Sequence, residues 1–165
     1  MKTPVALHTR PATPDDAEAI AAIYNQGIAD RIATFETRER STADIVQWFA
    51  GHYPVVVAYD NSGTILAFAS TSLYRARDCY AGVAEFSVYV ARAARGCGVG
   101  RLIMAALIAA AEQAGFWKLV SRVFVENEAS RTMLKRVGFR EVGIYEKHAR
   151  LDGVWRDVVI VERLL

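Results

Sequence analysis

The sequence is short of cysteine, of charge of one sign and of long apolar runs, and each shortage closes off a class of protein. Cys79 and Cys97 are the only cysteines in 165 residues, and their spacing suits no metal site. Two cysteines do not make a disulfide framework in a chain of this size, and no metal is expected. Twenty Lys/Arg against 18 Asp/Glu leave a formal net charge of +2, with no Lys/Arg run. That is too mild a balance for a nucleic-acid binder. The longest apolar stretch, Leu102 to Ala111, is too short to cross a bilayer, which takes about 20 residues. Met1-Lys2-Thr3-Pro4 has no apolar h-region, so no signal peptide or membrane is expected and a cytoplasmic protein is. Internal repeats, low-complexity tracts and linkers are absent as well.

What remains is globular. The hydrophobic fraction is 53% and the charged fraction 23%, and residues 1–165 read as a single domain able to bury a core. Val5 to Arg10 reads as a first strand. Thr13-Pro14-Asp15-Asp16 starts a helix that carries Ala17, Ile20, Ala21 and Tyr24 and stops at Gly27. Ile28 to Glu36 is ambiguous. Ser41-x-x-Asp44 caps a second helix with Ile45, Trp48 and Phe49 inward. Pro54 to Tyr59 and Thr64 to Leu73 are strands about an Asp60–Gly63 turn, and a polar loop spans 74–82. Val83 to Val90 is the next strand. A helix over 99–114, with Val99, Leu102, Ile103, Ala106, Leu107 and Ala110 as its core stripe, crosses to a parallel strand at Leu119 to Val125. A helix over Asn127 to Val137 and strands at Phe139 to Tyr145 and Val154 to Leu164 complete the order β-α-α-β-β-β-α-β-α-β-β, a mixed α/β fold.

The chain is organised around one stretch of this series. The strand ending in Val90 runs into Arg92-Ala93-Ala94-Arg95, then Gly96-Cys97-Gly98-Val99-Gly100-Arg101, then a helix. A helix N-terminus offers unpaired N–H groups and partial positive charge, and glycines let a ligand approach the backbone. Arg95 and Arg101 add full charge, so the expected guest is a phosphate or pyrophosphate. Gly100-Arg101-Leu102 lacks the Lys-Ser/Thr of a P-loop, and the G-x-G-x-G spacing is not the dinucleotide G-x-G-x-x-G.

What the loop does carry is R-x-x-G-x-G, as Arg95, Gly98 and Gly100, after Ser87-Val88-Tyr89-Val90. This resembles the coenzyme A pyrophosphate loop of the GNAT acyltransferase superfamily. Arg75-Ala76-Arg77 with Tyr80, Glu85 ahead of Ser87, Val125-x-Asn127 with Ser130, Gly138-Phe139 and Gly153-x-Trp155-x-Asp157-Val158 extend the likeness. Over almost the whole chain it resembles the phosphinothricin N-acetyltransferase group. The resemblance implies the GNAT fold: a central, mostly antiparallel sheet with one splayed parallel strand pair, flanked by helices. The pantetheine arm of acetyl-CoA would lie in the splay against backbone groups of Val88 and Val90. Coenzyme contacts are implied for Val88, Tyr89, Val90, Arg95, Gly96, Cys97, Gly98, Val99, Gly100, Arg101, Asn127 and Ser130. A small anionic amino acid is the implied acceptor. A homodimer is implied too, with the C-terminal strands or the 74–82 loop near its interface.

Acetyl transfer to an amine requires a neutral amine, and a free α-amino group titrates near ~8, so a base is useful. Glu85 is the candidate base, and the resemblance assigns that role to this place. Its structural alternative is an ion pair with Arg75 or Arg77. Arg75 and Arg77 share a side of an extended chain and could fork an anionic acceptor; alternatively they are solvated surface charges. Phe35 and Tyr80 either wall the acceptor site or serve as core aromatics. Asn127 reads as an N-cap. Cys97, with no partner His near in sequence, is not expected to be a catalytic thiol. The relatives can carry a His where this chain has Leu134, which leaves Tyr89, Tyr145 and His148 as spare proton donors. Trp155 is expected in the core or an interface, and His52 and His148 at the surface. Two further readings are a protein N-terminal acetyltransferase, which the Arg pair argues against, and a non-catalytic acyl-CoA sensor, which would not need Glu85.

Overall fold

The computed structural model describes residues 5–165; the N-terminal Met1-Lys2-Thr3-Pro4 segment lies outside the described residues. Seven strands form one sheet in the order β1-β2-β3-β4-β5-β7-β6. They are β1 (Leu7–Pro11), β2 (Val55–Asp60), β3 (Ile65–Leu73), β4 (Val83–Val90), β5 (Lys118–Phe124), β6 (Arg140–Leu151) and β7 (Val154–Leu164). The helices are α1 (Ala17–Asp30), α2 (Thr42–Val46), α3 (Val99–Gln113) and α4 (Glu128–Arg136). All neighbouring strands are antiparallel except β4 and β5, which α3 joins as a crossover. This is the expected fold, a mixed α/β sheet with one parallel pair.

Each face of the sheet buries its own cluster. Val99, Ile103, Met104 and Leu107 of α3 pack with Leu134 of α4 on Ala69, Phe86, Leu119 and Val159 of the sheet. On the opposite face, Ile20 and Ile23 of α1 and Ile45 of α2 pack on Val55, Val57 and Phe68. That second layer reaches β4 only at Tyr89. Farther along the sheet a small cluster is formed by Phe124 of β5, Leu151 of β6 and Val158 of β7, with Phe35 packed against it.

Several boundaries move, for physical reasons. The first strand is Leu7–Pro11 rather than Val5 to Arg10. Gly27 does not end α1. The helix runs on to Asp30, and Arg31, with φ of 58°, closes it in the left-handed region. Gly27 is instead a packing glycine: a Cβ there would stand 2.5 Å from Cδ1 of Tyr89. The buried stripe of α3 is rotated from expectation. Met104, Ile108 and Ala111 are buried, while Leu102 turns towards a cleft. β6 extends past Tyr145 to Leu151 through an irregularity at Lys147, whose φ is 47° and whose N–H is taken by the Asp157 carboxylate at 2.8 Å. The Ser41/Asp44 capping box forms, with Asp44 N–H donating to Ser41 Oγ at 3.2 Å and Ser41 N–H to Asp44 Oδ2 at 2.8 Å. No described helix is long and apolar enough to cross a membrane.

Candidate active site

The parallel pair comes apart. β4 and β5 are in register only at Val83↔Lys118, Ala84↔Leu119 and Glu85↔Val120, although both strands continue beyond. At the next step a side chain replaces the ladder: Ser121 Oγ donates to the Phe86 carbonyl at 2.8 Å. Past that point the strands fork. Ala91 N–H donates to Leu66 of β3 at 2.8 Å. Backbone groups along a strand alternate between its two edges, so Val88 and Val90 turn their N–H and C=O groups into the fork. The Val90 carbonyl indeed accepts from Arg95 Nε at 3.2 Å, not from β3.

At the open end of the fork the chain turns through Gly96 and Gly98, with φ of 77° and 82°, and enters α3. Those left-handed conformations favour glycine, and among the described residues no atom beyond the chain neighbours lies within 4 Å of where a Cβ would stand at either position. The result is a bare backbone rim whose N–H groups sit at the positive end of a helix of 15 residues.

Rim, fork and the start of α4 enclose a cleft of about 1230 Å³. Its lining brings together Val88, Tyr89, Val90, Arg95, Gly96, Gly98, Val99, Gly100, Arg101, Asn127 and Ser130. Cys97 is not among them; it is exposed, with its thiol 3.7 Å from the Arg95 carbonyl. Asn127 caps α4 by accepting from Ser130 N–H at 3.2 Å. An inner recess of about 60 Å³ continues the cleft between the splayed strands. It shares Ala33, Val88, Tyr89, Asn127 and Ser130 with the larger space and adds Ser87, Ser121, Arg122 and Leu134. Leu134 is buried in the α3 core and closes the recess with an apolar wall.

Sequence reasoning missed Asp30 at the mouth of this cleft. Its carboxylate takes Arg92 Nη2 at 2.6 Å and Arg95 Nη2 at 2.7 Å, tying the end of α1 to the basic turn. The hydrogen bond from Arg92 holds the Asp30 carboxyl below its ordinary value, with Arg95 adding to it against the cost of burial. Only the fold brings α1 beside that turn, so spacing along the chain gave no signal.

On the face away from α3, cross-strand partners line up as Phe68↔Tyr89, Ser70↔Ser87 and Ser72↔Glu85. An apolar surface thus becomes polar towards the closed end of the fork. Tyr89 lies between the rings of Tyr24, edge-on at 4.9 Å, and Phe68, stacked at 5.4 Å. Burial pushes its hydroxyl, and that of Tyr24, above the ordinary phenol range.

Glu85 is ion-paired, though with neither Arg75 nor Arg77: its partner is Arg122 of β5. Arg122 follows by two residues the Val120 that sits in register with Glu85, a relation visible only once the strands are aligned. Arg75 and Arg77 are both exposed and line neither cavity; the Arg75 guanidinium lies 5.2 Å over the ring of Tyr74. Tyr80 meets Tyr74 edge-on at 5.6 Å. Phe35 packs edge-on against Phe124 at 4.8 Å in the small cluster under β7. Tyr145 and His148 are exposed on β6 and Trp155 is exposed on β7, under the Arg150 guanidinium at 4.4 Å, so Trp155 is not a core residue. Among the described residues no group of three or more His, Cys, Asp or Glu is placed to hold a metal ion.

Comparison with known proteins places this geometry. A model of the acetyltransferase (GNAT) family matches residues 20–139. Phosphinothricin N-acetyltransferase of Streptomyces coelicolor is 33% identical over 165 residues, covering 96% of each chain. The L-methionine sulfoximine/L-methionine sulfone acetyltransferase of Pseudomonas aeruginosa is 31% identical, covering 89% of this chain and 88% of its own. Among solved structures, a GNAT superfamily phosphinothricin acetyltransferase of Sinorhizobium meliloti in complex with acetyl-CoA superposes with a TM-score of 0.89 at 28% identity, over 99% of this chain and 89% of that one. With that family match and relatives of this length and identity, the chain belongs to the acetyltransferase (GNAT) family.

Proposed function

We propose that this acetyltransferase moves the acetyl group of acetyl-CoA to the α-amino group of a small anionic amino acid of the phosphinothricin kind. Arsinothricin and methionine sulfoximine or sulfone are close alternatives. The observation that carries the reading is the fork: backbone groups of Val88 and Val90 turned into an open cleft, with a glycine rim and a helix N-terminus at its mouth. The rim would take the diphosphate with Arg95 and Arg101, and the fork would take the pantetheine arm as a further strand. The Val88 or Val90 N–H would donate to the thioester oxygen as charge grows on it.

Glu85 accepts the proton that the ammonium must lose before its nitrogen attacks the thioester carbon. The C–N bond forms as the C–S bond breaks. The thiol of coenzyme A is acidic enough, near ~8.5, to leave as thiolate without a dedicated acid. That suits a site with buried Leu134 and no histidine in either cavity lining. Arg75, Arg77, Tyr80 and Phe35 are assigned to the acceptor.

The working unit in this reading is a homodimer in the cytoplasm. The edge strand β6 exposes Val142, Ile144 and Tyr145, and β7 adds Val154 and Trp155, apolar side chains along this end of the sheet that a second copy would cover. The exposed thiols Cys79 and Cys97 suit a reducing compartment.

A panel of acceptor amines, assayed by thiol release from acetyl-CoA, tests the proposal. Turnover should be fastest with amino acids carrying a second anionic or tetrahedral group. Preference for peptide N-termini would move the protein to another acceptor class, and binding of acetyl-CoA without turnover on any amine would make it a sensor. Arg75→Ala should raise KM for the anionic acceptor, whereas no change would return Arg75 to the surface.

A further inference from the structure

We infer that Arg122 is the clamp for the acceptor's α-carboxylate, and that the acceptor itself releases Glu85 from Arg122 when it binds. The inference rests on the acetyltransferase reading of the fork and names the residue that recognises the amino-acid end of the acceptor.

Arg122 lies on the sheet face that α1 and α2 leave uncovered. Its side chain is 48% exposed and that of Glu85 26%, so solvent-borne ligands reach both. Around them the face is polar, with Ser72 opposite Glu85 and Ser70 opposite Ser87. Arg122 also lines the inner recess together with Ser87, Val88 and Tyr89. Among the described residues it is the basic side chain that lines this recess, whereas Arg75 and Arg77 line neither cavity.

The pairing itself has a complementary form. An α-amino acid carries its ammonium and its carboxylate on one carbon. Glu85 and Arg122 present a carboxylate and a guanidinium side by side, which is the opposite pattern at the same scale. The ion pair engages one guanidinium nitrogen, Nη2, and one carboxylate oxygen, Oε1. Among the described residues no other group hydrogen-bonds the Arg122 guanidinium. A half-exposed, single-contact pair is a weak one. A guanidinium fork binds a carboxylate better through two parallel N–H donors, so an incoming α-carboxylate can take Arg122 in exchange. That exchange leaves the Glu85 carboxylate facing the ammonium on the neighbouring atom. The base is thus masked by Arg122 until an acceptor with the right pair of groups arrives. Arg75 and Arg77, out on the 74–82 loop, would then meet the acceptor's second, distal anion.

The test compares a free amino acid with its methyl ester as acceptors, by thiol release, in wild type and in Arg122→Gln. The ester keeps the amine and loses the charge that Arg122 would hold. Arg122→Gln should raise KM for the free acid on the order of tenfold or more, while the ester's kcat/KM rises because Glu85 is no longer masked. Arg122→Lys, which keeps the charge without the fork, should fall between them. KM for acetyl-CoA should stay unchanged in both. Equal losses on acid and ester would mean that Arg122 only positions Glu85, and would overturn the clamp while leaving the acetyltransferase reading intact. No thiol release by wild type with any amine would remove both. Thermal melts of the two variants report folding, and the half-exposed position leaves at least one of them folded.

Discussion

The proposed coenzyme end and the proposed acceptor face of this protein are built in opposite ways. The coenzyme end is backbone: the edge of β4, the left-handed Gly96 and Gly98, and the first N–H groups of α3, all in one continuous stretch. The acceptor face is side chains: Glu85 from β4, Arg122 from β5 and serines from β3 and β4, which meet only through strand register. Backbone chemistry does not depend on which side chain is present, so a cradle made of it suits one constant ligand. Side chains from several strands can change one at a time, which suits a face whose ligand differs between relatives.

Substitutions can break this contrast, and the largest effect is expected on the acceptor side. Glu85→Gln should lower kcat by about 100- to 10,000-fold at neutral pH, with KM for acetyl-CoA unchanged. The deficit should shrink as pH rises, because above ~8 the amine arrives already neutral. A pH–rate profile checks this, and a deficit constant with pH would take Glu85 out of the base role.

Gly27→Ala strikes where the two regions touch. The new Cβ would stand 2.5 Å from Tyr89 Cδ1, on the strand that serves both sites. Overpacking of this kind costs about 1–3 kcal/mol, seen as a lower Tm, and should disturb both KM values together. A loss confined to one substrate would show that the two ends are mechanically separate.

Gly98→Ala should act on the coenzyme end alone. Forcing a Cβ onto φ of 82° costs roughly 1–2 kcal/mol, and the rim would shift away from its open form. KM for acetyl-CoA should rise about tenfold with KM for the acceptor unaltered.

The smallest effect belongs to Asp30→Asn, which unties Arg92 and Arg95. Both arginines are about half exposed, so the pairing contributes about 1 kcal/mol or less. The Asp30 carboxyl is held below its ordinary value in the folded state, so its contribution is complete above the ordinary carboxylate value. It fades as pH falls through the lowered one. Denaturant melts should therefore separate wild type from Asp30→Asn at pH 7 and draw them progressively together as pH falls below about 4, whereas a gap that widened in acid would contradict the sign.

The same contrast explains what the sequence made legible. The strand, the basic turn and the glycines of the coenzyme end could be read because every part is adjacent in the chain. So could the parallel pair, since a helix crossover joins its strands, whereas the fork was implied only by the family resemblance and the place of β7 between β5 and β6 was not read. Arg122 and Asp30 could not be read. Arg122 reaches Glu85 only through the three-residue register of β4 and β5, and Asp30 reaches Arg95 only when α1 packs beside the turn. Gly27 misled because glycine ends helices more often than it makes room for a ring inside one. Leu102 misled because a helical stripe says which residues are apolar, not that a cleft borders one side of it.

The central claim is that the fork and its glycine rim hold acetyl-CoA independently of the acceptor chemistry. Calorimetric titration of acetyl-CoA into wild type, Glu85→Gln and Gly98→Ala tests it most directly. Binding of one acetyl-CoA per chain in wild type, retained by Glu85→Gln and weakened by Gly98→Ala, is the predicted result. No heat in wild type, or equal affinity in Gly98→Ala and wild type, would contradict it.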